Sequence, residues 1–133
     1  EAHSGKGCAL LPLPTGQGFS LITNDSLKVI PNAKYKVSFY AKVLEGKGLL
    51  RTNFYWNEKY DFEQIVVPLI NDGEWHRYEV EVPTGYFPPE IHPFFRLWAI
   101  GSPQVVLVDD IEVSPLQVVK RYDIIWGEEE ELK

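Results

Sequence analysis

Apolar and polar residues alternate through "YKVSFYAKVL", residues 35–44, and the same alternation returns along most of the chain. Successive side chains of a β-strand point to opposite faces, so this period lays down one face for a core and a second for something else. Tyr35, Val37, Phe39, Ala41 and Val43 make the core face, and Lys36, Ser38, Tyr40 and Lys42 make the other. "GCALLPL" (7–13), "FSLIT" (19–23), "LLRTNFYWN" (49–57), "EQIVVPL" (63–69), "WHRYEVEVP" (75–83), "FFRLWAIG" (94–101) and "VVLVDDIEV" (105–113) are further strands. "EGKG" (45–48) and "NDG" (71–73) are turns between them, and no segment carries a convincing helical period.

The pattern predicts an all-β fold, a jelly-roll β-sandwich of two antiparallel sheets. Ten Pro and ten Gly with 14% aromatic residues agree with short strands and frequent turns. The 133 residues suit one domain, residues 1–127, followed by an acidic tail at 128–133. In "WHRYEVEVP", Tyr78, Val80 and Val82 are expected inward, and Arg77, Glu79 and Glu81 outward. The Pro-rich stretch "TGYFPPEIHP" (84–93) is expected to be a stiff, surface-exposed loop.

A net charge of −6 and the absence of a basic stripe argue against nucleic acid as a partner. No apolar run is long enough to span a membrane. Cys8 is the one cysteine and reads as a small buried apolar residue. "NDS" (24–26) fits an N-glycosylation acceptor. With no Met at any position, the chain reads as a mature or excised piece of something longer.

"RTNFYWNEKY" (51–60) holds more aromatics than one core face needs. With Leu50, Thr52, Phe54 and Trp56 assigned to the core, Arg51, Asn53, Tyr55 and Asn57 face outward. In "FFRLWAIG" the core set is Phe95, Leu97 and Ala99, which leaves Phe94, Arg96 and Trp98. If the three strands share a sheet, its outer face offers Tyr40, Tyr55 and Trp98 among Lys42, Arg51, Asn53 and Arg96. Aromatic rings bury the C–H face of a sugar, and Arg, Asn and Lys bond its hydroxyls. These residues are therefore the candidate ligand-binding set for a poly- or oligosaccharide. The same aromatics are also compatible with packing under loops.

"SGKGCALLP", "LKVIPNAKYKVSFYAKVLEGKG", "GEWHRYEVEVP", "FFRLWAIG" and "VVLVDDIEVSP" occur in that order over residues 4–115. Together they resemble the calcium-containing β-sandwich carbohydrate-binding modules (galactose-binding-like fold) of bacterial xylanases, cellulases, laminarinases and mannanases. The resemblance implies a jelly-roll sandwich without catalysis, an aromatic cleft for glycan chains, and secretion as an accessory domain of a glycoside hydrolase. It also implies a structural calcium held by Asp109, by Asp110 and by a backbone carbonyl at Lys6 or a neighbour. Such modules usually carry a further strand before "SGK". The tail "VVKRYDIIWG" (118–127) is expected to take that vacant edge beside the "DDIEVSP" strand; an unpaired edge invites self-association.

Catalysis is not expected. His3, His76 and His92 lie far apart, no nucleophile-base or metal-hydrolase motif is present, and Glu58, Asp61 and Glu63 read as acids of a polar turn. The alternative is a structural or adhesion domain of a virus particle or cell-surface protein, binding protein through the same faces and edges. Under the glycan reading Trp98→Ala is expected to remove most binding and leave melting nearly unchanged.

Overall fold

A computed structural model describes residues 9–13, 21–24, 27–101 and 103–116, the first two segments by their backbone. Lys6, Cys8, most of the "NDS" acceptor and the tail from residue 117 onward lie outside the described residues. Eight strands are present: β1 (Ala9–Leu13), β2 (Leu21–Asn24), β3 (Lys34–Glu45), β4 (Leu49–Tyr55), β5 (Ile65–Pro68), β6 (His76–Pro83), β7 (Phe94–Ala99) and β8 (Gln104–Pro115). They form two antiparallel sheets of four strands, ordered β1-β8-β3-β6 and β2-β7-β4-β5. The all-β sandwich expected from the alternation is the fold.

The inward rows meet in one core. Tyr35, Val37, Phe39, Ala41 and Val43 from β3 pack with Leu50, Phe54, Phe95, Leu97 and Ala99 from the second sheet, all essentially inaccessible. The rings of Tyr35 and Phe54 stand 4.9 Å apart across the sandwich, and Phe54 meets Phe95 edge-on at 6.1 Å. Burying a side chain of this size stabilises the fold by about 2–3 kcal/mol, which makes these rows the main determinant of register. On β6, Arg77, Glu79 and Glu81 face solvent as expected, and Val82 is buried.

Two local devices shape the sheets, one in the turn by which the chain crosses from β3 in the first sheet to β4 in the second, the other in β8. Gly46 and Gly48 both have positive φ, +82° and +74°. A side chain at Gly46 would collide with the Pro103 carbonyl, and one at Gly48 with Val43, so this turn admits only glycine at both positions. On β8, two residues (Asp110 and Ile111) stand opposite the single Phe39, because the register steps from Ser38↔Glu112 to Tyr40↔Asp109. That is a β-bulge. Asp110 takes the left-handed conformation there (φ 55°), and its N–H donates to Asp109 Oδ1 at 2.8 Å.

Two expectations are corrected. Trp56 is not core: β4 ends at Tyr55, because the Asn57 side chain accepts from the N–H groups of Lys59 and Tyr60 and starts a 3-10 turn, Glu58–Tyr60. Trp56 is left 39% exposed. The Pro-rich loop is not simply a surface loop, since Thr84, Phe87 and Pro93 are buried. Thr84 Oγ1 ties it down, accepting from Ala33 N–H at 3.0 Å and donating to the Ile30 carbonyl at 2.8 Å. β8 is flanked by β3 and, over Gln104–Val108, by β1; the tail expected beside its "DDIEVSP" stretch lies outside the described residues.

Candidate functional site

β4 and β7 pair directly, and their outward residues form three rungs: Tyr55 opposite Phe94, Asn53 opposite Arg96, and Arg51 opposite Trp98. β5 borders the last rung, with Val66 opposite Arg51. Arg51, Asn53, Tyr55, Arg96 and Trp98 are thus brought together on the outer face of the second sheet. Tyr40 and Lys42 are not. They lie on β3, in the other sheet, so the premise that all three aromatics share a face fails. Strand parity was readable from the sequence; sheet membership was not.

The middle rung is a polar knot. Asn53 is fully buried, and its amide donates to Asp61 Oδ1 and to the Phe62 carbonyl, both at 2.7 Å. Its Oδ1 accepts from Arg96 Nε at 2.8 Å. Arg96 Nη2 also reaches Asp61 Oδ1 at 3.1 Å, and Gln64 Nε2 donates to the same oxygen at 3.3 Å. Gln64 Oε1 in turn accepts from Arg51 Nη1 at 3.0 Å. Every residue from Arg51 through Gln64, Asp61 and Asn53 to Arg96 is therefore joined in one chain of hydrogen bonds. The segment after β4 folds back to deliver Asp61, Phe62 and Gln64, anchored by the Tyr55↔Asp61 bridge.

Arg96 lies between two rings. Its guanidinium carbon is 3.9 Å from the Tyr55 ring centre and 4.5 Å from that of Trp98. Both distances are those of cation–π contacts. Burial pushes the guanidinium below its ordinary value, while Asp61 and Tyr55 pull it back up. The ordinary value is so high that Arg96 stays a cation.

This packing corrects the expected platform. Trp98 is 8% exposed, covered by its own chain, so it is a floor under Arg96 and not an open stacking surface. The accessible ring faces on this sheet belong to Tyr55 and Phe94, which meet edge-to-face at 5.8 Å and are both half-buried. Asp61 and Gln64 are the site residues missed in the sequence. Their nearness in sequence to Asn53, in the polar turn that follows β4, was the available signal.

At the end of the sandwich beyond Tyr55 and Phe94 an open groove of about 630 Å³ runs between residues 27–31 and the Pro-rich loop. Ile30, Phe87, Pro89 and Ile91 are among its walls. Trp56 stands at its rim, its ring 6.3 Å from that of His92.

Asp109 and Asp110 sit at the β8 bulge, where one carboxylate oxygen of Asp109 is already spent on the Asp110 N–H. Calcium takes about six to eight oxygens. Among the described residues no three His, Cys, Asp or Glu side chains cluster to hold a metal, and Lys6 lies outside them. The ligand set that the resemblance implies thus extends beyond the described residues.

No protein-family model and no curated protein matches the chain. Solved structures do. A CBM4 carbohydrate-binding module superposes with a TM-score of 0.61 at 14% identity, covering 85% of this chain and 74% of the module. A family 16 carbohydrate-binding module gives 0.54 at 17% identity, covering 84% and 79%. The fold is that of carbohydrate-binding modules. It also occurs inside the enzymatically active domain of tailspike protein 4 of bacteriophage CBA120, with a TM-score of 0.57 at 12% identity over 82% of this chain and 15% of that one.

Proposed function

We propose that the chain is a non-catalytic glycan-binding module whose ligand lies across β4 and β7 on the outer face of the second sheet. One observation carries this reading: two half-exposed rings, Tyr55 and Phe94, border two guanidinium donors, Arg96 and Arg51, which Gln64 and the buried Asn53 hold in place on adjacent strands. A sugar ring rests its C–H face on the aromatic rung, and its hydroxyls meet the guanidinium edges. Because the donors are held by Asp61 and Gln64 before any ligand arrives, little ordering entropy is spent on binding. The fold shared with carbohydrate-binding modules supports the reading. Trp98 contributes from below by holding Arg96, and Tyr40 and Lys42 fall outside the site.

Catalysis finds no support at this face, where the one acid of the knot, Asp61, is consumed by Arg96, Asn53 and Gln64. Among the described residues no helix is long and apolar enough to cross a membrane. Export as the accessory domain of a polysaccharide-degrading enzyme is part of the proposal. Tryptophan fluorescence titration with xylan, β-glucan, mannan and cello-oligosaccharides, with and without chelator, tests it. A saturable change lost in Tyr55→Ala supports the site, and the chelator arm reads any calcium requirement. A folded protein silent across the panel overturns the reading. A second reading, contact with protein, is favoured by the exposed Ile30, Trp56 and Tyr86 around the end groove, and self-association would register as a concentration-dependent mass.

A further inference from the structure

The two arginines of the site differ in their counter-charges. Arg96 has Asp61 at 3.1 Å. Arg51 has a neutral partner, the Gln64 amide oxygen, and its Nε is buried with no hydrogen-bond partner among the described residues. Asp61, the nearest acid in the chain of bonds, is already engaged by Arg96, Asn53 and Gln64. A guanidinium presents five donors in a rigid fork that matches a carboxylate. In a protein with 19 acidic residues, a part-buried Arg that pairs with no acid among the described residues, on the proposed binding face, offers a position for an anion.

We propose that Arg51 makes this site select acidic glycans, by gripping the carboxylate of a uronic acid ring laid over the Arg51–Trp98 rung. This rests on the glycan-binding reading. The flanks suit a sugar: Val66 is 44% exposed beside Arg51 and offers an apolar patch for the ring's C–H face. The chain's net charge of −6 does not forbid an anionic ligand. At physiological salt, charges beyond about 8 Å are largely screened, whereas a part-buried guanidinium–carboxylate pair in contact is weakened but keeps much of its attraction.

The test compares oligogalacturonate, alginate oligosaccharides and glucuronoxylan fragments with the same oligomers after their carboxylates are reduced to primary alcohols. Affinity is measured for the full chain, for Arg51→Gln, for Arg51→Lys and for the charge control Lys36→Gln on the other sheet. At least one acidic oligomer should bind about tenfold more tightly than its reduced form, because a charge-assisted bond exceeds a neutral one by that order. The preference should vanish in Arg51→Gln, persist in part in Arg51→Lys, survive in Lys36→Gln, and shrink as salt rises from about 0.05 to about 0.5 M. Equal or weaker binding of the acidic forms, with the neutral ones binding, overturns the role of Arg51 and leaves the glycan reading intact. No binding of either form overturns the role of Arg51, and the glycan reading falls with it only if the xylan, β-glucan, mannan and cello-oligosaccharide panel is silent as well. If Arg51→Gln does not fold, the Arg51→Lys pair and the salt series still decide.

Discussion

The outer faces of the two sheets follow the same alternation and end up as different environments. On the first sheet, Lys36 and Tyr40 are half-buried, and Arg77, Glu79 and Glu81 of the edge strand β6 stand in solvent. On the second sheet Tyr55 and Phe94 are likewise half-buried, but the rungs beside the returning segment are more covered: Asn53 is 0% exposed, Trp98 8%, and the Arg96 side chain 13%. The difference comes from the segment after β4, which returns across the sheet and inserts Asp61 and Gln64 between the rungs. Alternation assigns a side chain to a face; what lies over that face is decided by a third layer.

Asn53→Ala should make the largest difference between the faces. It removes three hydrogen bonds made by a fully buried amide, leaves Arg96 Nε and the Phe62 carbonyl without that partner and opens a cavity, at a cost of about 3 kcal/mol. Lys36→Ala on the opposite face should change stability by about 0.5 kcal/mol or less. Chemical denaturation of both variants checks the contrast, and near-equal losses would mean that the knot is not a structural layer.

Trp98→Ala comes next, and its expected outcome differs from the one read from sequence. A ring this buried cannot be removed without a cavity, so the variant should lose about 3 kcal/mol as well as its glycan affinity. Tyr55→Ala separates the two effects. Its ring is half-buried, so about 1–2 kcal/mol of stability and most of the affinity should be lost. Tyr40→Ala, on the other sheet, should leave affinity unchanged. A loss of affinity in Tyr40→Ala with Tyr55→Ala silent would move the ligand to the first sheet.

The legible and illegible parts of this molecule divide along the same line. The inward row of β3 was read correctly at all five positions, because a two-residue period and apolar side chains leave one choice of face. Trp56 was misplaced because the strand stops one residue earlier, where the Asn57 side chain takes over two backbone N–H groups. The "NEKY" that does this is an Asn-initiated turn, visible in the sequence but outweighed by the row of aromatics before it. That β3 and β4 enter different sheets follows from long-range pairing, β3 with β6 and β8, β4 with β5 and β7, and no local pattern encodes it. The burial of Trp98 needed both facts, the sheet and the returning segment.

The smallest effect concerns a contact with no such layer over it. His76, at the start of β6, bonds both carboxylate oxygens of Asp72 at 2.9 Å, in the open. That bond, with a further one from the Glu74 N–H, holds the Asp72 carboxyl below its ordinary value. A carboxyl depressed in the folded state stabilises the fold at pH values above its unfolded value of about 4, and the contribution disappears as pH falls through the folded value. Asp72→Asn should therefore melt slightly below the parent at about pH 6 and together with it by about pH 2–3, where both side chains are uncharged. In about 0.5 M salt the gap at the higher pH should narrow, because an exposed pair is screened. The pair Arg96–Asp61, whose arginine side chain is largely covered while its carboxylate reaches solvent, should respond somewhat less to the same salt. If both pairs respond alike, the second sheet's outer face is as wet as the first, and the contrast between the two faces does not hold in solution.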